Sequence, residues 1–232
     1  MAFVKRGWRG GPLSWLYSQI VHRYYADDLW LDLRLAAKKE SVEYALQHMQ
    51  EAQILADRWA LMKFALSRAP ADGSLLEFGV YRGRSINFLA GCTTRTVHGF
   101  DSFEGLPVDW RGMMEQKGSF GAGGRAPKVA PNVQLHPGWF KDTLGEFLRG
   151  NNEPASFMHI DCDVYEATRD VFDAFRDRIV RGTIIVFDEY FNFPGWRHHE
   201  YKAFQEFIAA SGRSYRYFGL SAQKGHVAVE ML

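Results

Sequence analysis

Five short β-rich runs, most of them separated by segments long enough to hold a helix, constrain the fold of this chain more than any other feature. Strands that alternate with helices in this way form βαβ crossovers, which build a parallel sheet covered on both faces. The runs are SLLEFG (74–79), TVHGFD (96–101), NVQLH (132–136), SFMHID (156–161) and GTIIVFDE (182–189). We therefore predict an α/β fold with a mostly parallel sheet.

The two ends of the chain depart from this alternation. Near the C-terminus, the runs YRYFGLSAQ and HVAVEML are divided by Lys224 and Gly225, which predicts an antiparallel hairpin at one edge of the sheet. Near the N-terminus, apolar residues between Val42 and Leu66 recur at spacings of three and four, as on one face of a long helix. We predict an N-terminal helical extension over residues 1–70 and a ligand-binding domain over residues 71–232.

Composition argues against several classes of protein. The 232 residues are 47% hydrophobic, which suits one substantial globular core, and 28 basic residues nearly balance 27 acidic ones. A net charge of +1 gives no reason to expect nucleic acid or an acidic membrane as a partner. Two cysteines are too few for a disulfide framework, and no run of about 18 apolar residues is present. Since the first residues also lack the apolar region of a signal peptide, we expect a cytoplasmic protein.

The segment LLEFGVYRGRSINFLA (75–90) ends a predicted strand in a carboxylate and two glycines, directly before a predicted helix. Ligands bind at the carboxyl ends of parallel strands, and Gly79 permits a tight turn or a close approach there. Gly83 and Ser85 open a helix whose amide groups attract an anion. Because Tyr81 stands where a dinucleotide-binding loop needs its second glycine, a pyrophosphate cradle is disfavoured. Turn geometry alone is the alternative role of these glycines.

An acid follows the second predicted strand at the spacing found in nucleoside-binding folds. Asp101 lies 22 residues after Gly79, close to the separation of about 20 at which a carboxylate accepts ribose hydroxyls. Helix capping by Asp101 or Ser102 is the alternative. A ribose site without a pyrophosphate cradle indicates S-adenosylmethionine, whose ammonium suits Glu77 and whose carboxylate suits the helix start.

Acidic residues also follow the fourth and fifth predicted strands. HIDCDVY contains Asp161 and Asp163, and FDEYFNFPGW contains Asp188 and Glu189. Neighbouring parallel strands would bring these oxygens together, and Mg²⁺ prefers oxygen ligands. A metal there can lower the pKa of a substrate hydroxyl. For Asp163, which precedes a helical pattern, we favour a helix cap.

The longest connection, residues 104–131, is rich in glycine around GSFGAGGRAPK (118–128). A loop of this length inside a compact domain is usually a lid or a mobile segment. We predict that it closes over the bound molecules and excludes water from them.

Taken together and in this order, LLEFGVYRGRSINFLA, GFDSFEGLP, PGWFKDTL, HIDCDVYEAT and FDEYFNFPGW resemble the macrocin O-methyltransferase family. The resemblance covers residues 74–210. It implies a Rossmann-like class I methyltransferase fold with a seven-stranded sheet, S-adenosylmethionine as methyl donor, and a sugar or glycosylated small molecule as acceptor. Glu189 departs from the pattern, because relatives commonly have Asp at this position.

The resemblance also implies roles for individual residues. The metal site, which usually holds Mg²⁺, is matched by Asp161, Asp188 and Glu189. The donor site is matched by a larger set, which comprises Glu77, Gly79, Tyr81, Arg82, Gly83, Ser85, Asp101 and Ser102, with Trp139 and Phe140 beside the adenine.

In-line methyl transfer requires alignment of oxygen, methyl and sulfonium, together with removal of the hydroxyl proton. Candidate bases are Asp161, His198 and His199, the histidines because imidazole titrates near neutral pH. The alternative for the histidines is an exposed pair of loop residues before the last helix. An aromatic wall is predicted to hold the acceptor, and it comprises Tyr165, Tyr190 and Trp196.

Other functions fit the same residues. The scaffold can methylate a phenolic or catechol hydroxyl or an amine, and nothing in the sequence names the acceptor. A nicotinamide-dependent oxidoreductase would share the sheet and Asp101 but needs pyrophosphate-binding glycines that this loop lacks. A non-enzymatic nucleoside- or metal-binding protein would keep the fold without the chemistry. The aromatic N-terminal segment can also join two subunits into a homo-oligomer.

Overall fold

The computed structural model describes residues 12–21 and 28–232. Its strands are β1 (Gln53–Leu55), β2 (Ser74–Phe78), β3 (Val97–Asp101), β4 (Val133–Pro137), β5 (Ala155–Ile160), β6 (Ile184–Phe187), β7 (Tyr215–Ser221) and β8 (Val227–Met231). Its helices are α1 (Pro12–Val21), α2 (Leu29–His48), α3 (Arg58–Leu66), α4 (Arg84–Gly91), α5 (Phe140–Gly150), α6 (Tyr165–Ala174) and α7 (Glu200–Ser211). Within these ranges, no helix has the length and apolar character needed to cross a membrane.

All eight strands form one sheet in the order β1-β7-β8-β6-β5-β2-β3-β4. The pairs of β2 with β3 and β5, of β3 with β4, and of β5 with β6 are parallel. Strand β8 runs antiparallel to both β6 and β7. The prediction of a mostly parallel sheet with an antiparallel C-terminal hairpin is confirmed, and the carboxyl ends of β2, β3, β5 and β6 lie along one edge.

Side chains that alternate along the strands enter two hydrophobic clusters. Leu76 of β2 joins a cluster that contains Phe172 of α6, whereas the adjacent Leu75 joins a cluster that contains Leu61 of α3. Since successive side chains of a strand point to opposite faces, the sheet is covered on both sides. Burial on both faces explains why every residue of β2 is buried and why the strand is largely apolar, with Glu77 as its one charged residue.

The predicted helix face from Val42 to Leu66 is wrong. Helix α2 ends at His48, strand β1 follows, and α3 begins at Arg58. The Asp57 side chain caps α3 by accepting the amide N–H of Ala60 at 2.9 Å, which starts a new helix inside the apolar pattern. Strand β1 pairs in parallel with Gly219–Ser221 of β7 and adds an eighth strand to the seven that were expected.

Helix α3 packs into the same core as the sheet, although the division of the chain at residue 70 stays a prediction. Leu61 has no exposed surface and lies against β7, where a Cβ on Gly219 would come within 2.8 Å of the Leu61 Cδ1. We expect Leu61→Ala to lower the free energy of unfolding by about 2–5 kcal/mol, measured by denaturant unfolding. The control is Leu46→Ala on exposed α2 surface, which should change it by less than about 0.5 kcal/mol. Equal, small effects would mean that α3 does not share the core.

Candidate functional site

A cleft of about 960 Å³ opens where β2, β3, β5 and β6 end. Each of these strands contributes polar residues to its wall, as expected for the carboxyl ends of parallel strands. The wall includes the Gly79–Arg82 loop after β2, Asp101 at the end of β3, the Asp161–Asp163 segment after β5, and Glu189 after β6. The structure therefore brings most of the predicted donor residues and several of the predicted acids into one cavity.

Gly79 adopts a conformation that the following turn requires. Its φ is +94°, and a Cβ placed there would lie 1.7 Å from the backbone carbonyl oxygen of Asp161. The close approach joins the end of β2 to the end of β5. Gly83, with a φ of +77°, occupies the left-handed position directly before α4. Both glycines are thus demanded by backbone geometry, which was the simpler of the two roles considered for them.

Asp101 organises the loop after β2. Its Oδ2 accepts the amide N–H groups of Val80 at 2.8 Å and Tyr81 at 2.7 Å, and its Oδ1 accepts that of Phe103 at 2.7 Å. No helix follows Asp101, so the capping alternative is wrong. A carboxylate has about four acceptor positions, so one remains for a ligand hydroxyl.

Most of the predicted donor residues line the cleft, but Glu77 does not. Its side chain is fully buried and accepts hydrogen bonds from Ser85 Oγ and His159 Nδ1, each at 3.0 Å. The predicted contact between Glu77 and an ammonium is therefore not what the structure shows, because two neighbouring side chains already use this carboxylate. Gly83 is also outside the wall. The predicted residues on the wall are Gly79, Tyr81, Arg82, Ser85, Asp101, Ser102, Trp139 and Phe140.

Three carboxylates, which we call the acid triad, converge on the cleft. Oxygens of Asp161, Asp163 and Glu189 lie within 4.8 Å of one another, and Glu189 Oε2 is buried with no hydrogen-bond partner. Behind them the fully buried Glu200 accepts the amide N–H of Glu189 at 3.2 Å. Burial and repulsion from Asp188 raise the pKa of Asp161 and Glu189, and raise that of Asp163 to about 8.

Asp163 is the member of the triad that sequence reasoning assigned to another role. Helix α6 begins at Tyr165, the residue before it is Val164, and no side chain caps the helix. The predicted helix cap is therefore wrong. With a φ of +66°, Asp163 instead bends the chain so that its side chain lines the cleft. Its position two residues after Asp161 in HIDCDVY was the available signal, since both acids follow the same strand.

Asp188 lies behind the cleft wall rather than on it. It is 5% exposed, and its Oδ2 accepts a hydrogen bond from Arg58 Nη1 at 3.2 Å. His226 Nδ1 lies 3.0 Å from Asp188 Oδ1, and His159 Nε2 lies 3.8 Å from it. Although burial opposes ionisation, these two imidazoles hold the pKa of Asp188 well below its usual range. Asp163, rather than Asp188, thus shares the cleft with the other two predicted metal ligands. Ligand atoms of His159, Asp161 and Asp188 nevertheless also lie within 4.8 Å of one another, so Asp188 as a metal ligand stays a prediction.

The predicted histidine bases line a second pocket, of about 450 Å³, together with Tyr165. Glu166 lines both cavities, which makes them neighbours. His199 is 3% exposed and donates from Nε2 to the Arg111 carbonyl oxygen at 2.8 Å, and burial lowers its pKa. His198 is exposed. Neither histidine lies on the wall of the main cleft with Asp161.

Two of the three predicted acceptor residues belong to the core. Tyr190 has no exposed surface and shares a hydrogen bond between hydroxyls with Tyr217. Trp196 is 1% exposed, packs edge-on against Tyr44, and donates from Nε1 to Glu40 Oε2 at 3.2 Å. Neither residue lines either cavity, so the prediction of substrate contacts for them is wrong. Their polar atoms are satisfied inside the protein, as buried tyrosine and tryptophan require.

Residues 104–131 fold into a compact loop beside the cleft. The backbone N–H of Leu106 bonds to the Ser119 carbonyl, and that of Gly118 bonds to the Leu106 carbonyl, each at 2.9 Å. Trp110 is buried and lines the cleft with Phe120. The loop thus supplies an aromatic part of the wall, while its closure as a lid stays a prediction.

A family profile described as "Methyltransferase domain" matches residues 76–190, just under half of the chain. This segment is therefore similar in sequence to a methyltransferase domain. A curated relative from Streptomyces olivaceus, "8-demethyl-8-(2,3-dimethoxy-alpha-L-rhamnosyl)-tetracenomycin-C 4'-O-methyltransferase", is 30% identical over 155 residues. The match covers 56% of this chain and 58% of the relative, so the chain spans less than two thirds of that protein. The narrower resemblance to the macrocin family stays a prediction.

Similarity to solved structures confirms that this chain has the class I methyltransferase fold. CalS11, a calicheamicin methyltransferase, has a TM-score of 0.60 at 19% identity, with 99% of each chain covered. The O-methyltransferase NovP has a TM-score of 0.56 at 19% identity, covering 75% of this chain and 78% of its own. At these identities the likeness establishes the fold of the methyltransferase domain and its surrounding elements.

The acid triad of the methyltransferase domain fits a divalent cation. Its carboxylate oxygens are ligands that Mg²⁺ prefers, and Glu189 Oε2 has an unused acceptor position. Burial and the nearby Asp188 raise the pKa of all three carboxyl groups, and a bound cation would stabilise their ionised forms. The triad therefore offers a chemically suitable site for the predicted metal.

The raised pKa values of the acid triad predict that the stability of the protein depends on pH. The acids of the triad keep their protons in the folded protein at pH values where the unfolded chain, which releases them near pH 4, has lost them. The free energy of unfolding is therefore higher at low pH and falls as pH rises toward 8. In EDTA we expect the free energy of unfolding to fall by about 3–4 kcal/mol from pH 5 to pH 8, the loss for one carboxyl group with a folded-state pKa of about 8. Mg²⁺ should remove most of this fall.

The matched variant for this prediction is Asp163→Asn. Although burial opposes its protonation, hydrogen bonds to Asp188 and Glu77 raise the pKa of His159, so its titration also lowers stability as pH rises. Comparison of wild type with Asp163→Asn in the same unfolding experiment isolates the acids, and the variant should show a shallower fall. A wild-type stability that rises between pH 5 and pH 8 in EDTA would contradict the account.

Proposed function

We propose that this protein transfers a methyl group from S-adenosylmethionine to a hydroxyl of a sugar or of a sugar-bearing small molecule. The observation that carries the proposal is a single cleft in the methyltransferase domain. Its wall contains the glycine loop after β2, Asp101 and the acid triad. A volume of about 960 Å³ is at the upper end of the range for small-molecule sites, which leaves room for donor and acceptor together.

The donor would lie along the ends of β2 and β3. Asp101 has a remaining acceptor position for a ribose hydroxyl, and the loop amides that it holds fix its orientation. Trp139 and Phe140 follow β4 and line the same part of the wall, where aromatic side chains can contact the adenine ring. Gly79 keeps the loop close to the strands, so the donor approaches the backbone directly.

The acceptor hydroxyl would lie at the acid triad, where its proton must be removed. Asp161 is the proposed general base, because it faces the cleft and burial raises its pKa, which makes it a stronger base than a free carboxylate. Asp161, Asp163 and Glu189 would hold the divalent cation, which when bound lowers the pKa of the acceptor hydroxyl. The carboxylates of this chain then orient the oxygen in line with the methyl group.

The relative from Streptomyces olivaceus supports a sugar as acceptor, since its name describes methylation at the 4' position of a rhamnosyl compound. The names of CalS11 and NovP describe a calicheamicin methyltransferase and an O-methyltransferase. Tyr165, which lines the second pocket, and the loop 104–131 are the elements of this chain that we propose to contact the remainder of the acceptor.

A labelled methyl group tests the proposal. The protein is incubated with S-adenosyl-[methyl-³H]methionine, Mg²⁺ and a panel of rhamnosides, nucleotide-linked deoxysugars, catechols and amines. We expect label on a sugar hydroxyl and none on the matched acceptor in which that hydroxyl is already methylated. Preferential labelling of catechols or amines would contradict the proposed acceptor class.

A further inference from the structure

Two arginines from different helices contact the same tryptophan ring at the cleft, where the glycine loop leads into α4. Arg58 is the first residue of α3 and Arg84 the first residue of α4, and both line the cleft. Their guanidinium carbons lie 4.3 Å and 5.2 Å from the centroid of the Trp59 indole ring. Trp59 in turn packs against Phe88, with ring centroids 4.9 Å apart, which fixes the indole between the two helices. We call Arg58 and Arg84 the arginine pair.

Asp188 fixes the position of one member of this pair. Arg58 Nη1 donates to Asp188 Oδ2 at 3.2 Å, and the Arg58 side chain is 23% exposed, so it is held in place while it still reaches the cleft. A guanidinium has five N–H donors, and this contact uses one nitrogen only. For Arg84, no carboxylate of residues 12–21 or 28–232 lies within ion-pair distance, so its charge is available.

We propose that the arginine pair binds the carboxylate of the methionine part of S-adenosylmethionine. The inference rests on the proposed function, and it names the chemistry of one end of the donor. The pair lines the cleft together with Gly79 and Ser85. Arg58 also lies near the acids, because its partner Asp188 has an oxygen within 4.8 Å of an Asp161 oxygen. A planar guanidinium matches a carboxylate with two parallel hydrogen bonds, and the first amides of α4 add a favourable dipole.

This assignment also gives Asp188 a role other than that of a metal ligand. Its carboxylate neutralises Arg58 from behind and aims the guanidinium at the cleft, so Asp188 is a positioning residue for the donor site. Arg58 lies outside residues 76–190, the segment matched by the methyltransferase profile. The N-terminal part of the chain therefore completes the donor site of the methyltransferase domain.

The test compares two donors that differ by the carboxylate alone. Calorimetry measures the dissociation constants of S-adenosylmethionine and of decarboxylated S-adenosylmethionine, which keeps the sulfonium and the ammonium. Variants are Arg84→Met, an exposed change, and Arg58→Lys, which keeps a cation beside Asp188. Arg68→Met is the control, because Arg68 follows the same helix α3 and stacks on Phe64 away from the cleft.

We expect each cleft variant to weaken S-adenosylmethionine binding by about 10- to 100-fold, the range for loss of a charged hydrogen bond. Binding of the decarboxylated donor should change by less than about 2-fold, and Arg68→Met should affect neither. Equal weakening of both donors, or no weakening of either, would overturn the assignment of the carboxylate to this pair. Failure of the wild-type protein to bind either donor would instead overturn the proposed function.

Discussion

Replacing Gly79 with alanine is expected to lower the free energy of unfolding by about 3 kcal/mol or more and to abolish binding of the methyl donor. The new Cβ would lie 1.7 Å from the carbonyl oxygen of Asp161, at a φ of +94°. The ends of β2 and β5 cannot easily move apart to make room for this atom. The Gly79 N–H bonds to the Phe100 carbonyl at 3.0 Å, and the Asp161 N–H bonds to the Phe78 carbonyl at 2.8 Å. Denaturant unfolding and donor calorimetry measure the two effects.

Gly91 provides the matched control for this variant. It is the last residue of α4, is exposed, and has no atom within 4 Å of the position that an added Cβ would take. Gly91→Ala should leave donor binding unchanged and raise the free energy of unfolding by up to about 1 kcal/mol, because alanine restricts the unfolded chain. A Gly79→Ala protein that is as stable as Gly91→Ala would show that the end of β2 is not held as described.

Asp161→Asn is expected to reduce turnover by about 100- to 10,000-fold, because it removes the proposed general base, which is also a proposed ligand of the cation. The variant should not lower the free energy of unfolding, since burial and the nearby Asp188 already disfavour the charge that it removes. We therefore expect a free energy of unfolding at pH 8 that equals or exceeds that of wild type. Initial rates of methyl transfer and denaturant unfolding at the same pH provide the two readings.

Asp173→Asn is the control for loss of a carboxylate. Asp173 is exposed on α6 and lies outside the cleft wall. Its replacement should change the rate by less than about 2-fold and the stability by less than about 0.5 kcal/mol. If Asp161→Asn keeps at least half of the wild-type rate, Asp161 is not the base.

The sheet could be predicted because its signals are local. Each central strand is a short apolar run bounded by turn residues, and the βαβ rule then fixes which ends lie together. Asp101, Asp161 and Glu189 were placed at the cleft by this rule alone, since each follows a strand or ends one. The eighth strand was missed because QIL at 53–55 is three residues long and lies within an apolar spacing that also suits a helix.

The position of a residue at the end of a strand does not predict whether its side chain faces the cleft or is buried in the protein. Glu77 and Asp161 both follow apolar runs. The Glu77 carboxylate is buried and hydrogen-bonded to His159 and Ser85, whereas Asp161 faces the cleft. Tyr190 and Trp196 look like wall residues because they follow the last parallel strand. They are buried through contacts with residues of α2, which lies about 150 positions earlier, and no local pattern carries that information.

Titration of the wild-type protein and of Asp101→Ala with S-adenosylhomocysteine tests whether the cleft binds a methyl donor. We expect saturable binding at one site per wild-type chain and at least about 10-fold weaker binding by the variant, which loses the acceptor for the Val80 and Tyr81 amides. Absence of saturable binding by folded wild-type protein would contradict the claim that this cleft is a methyl-donor site.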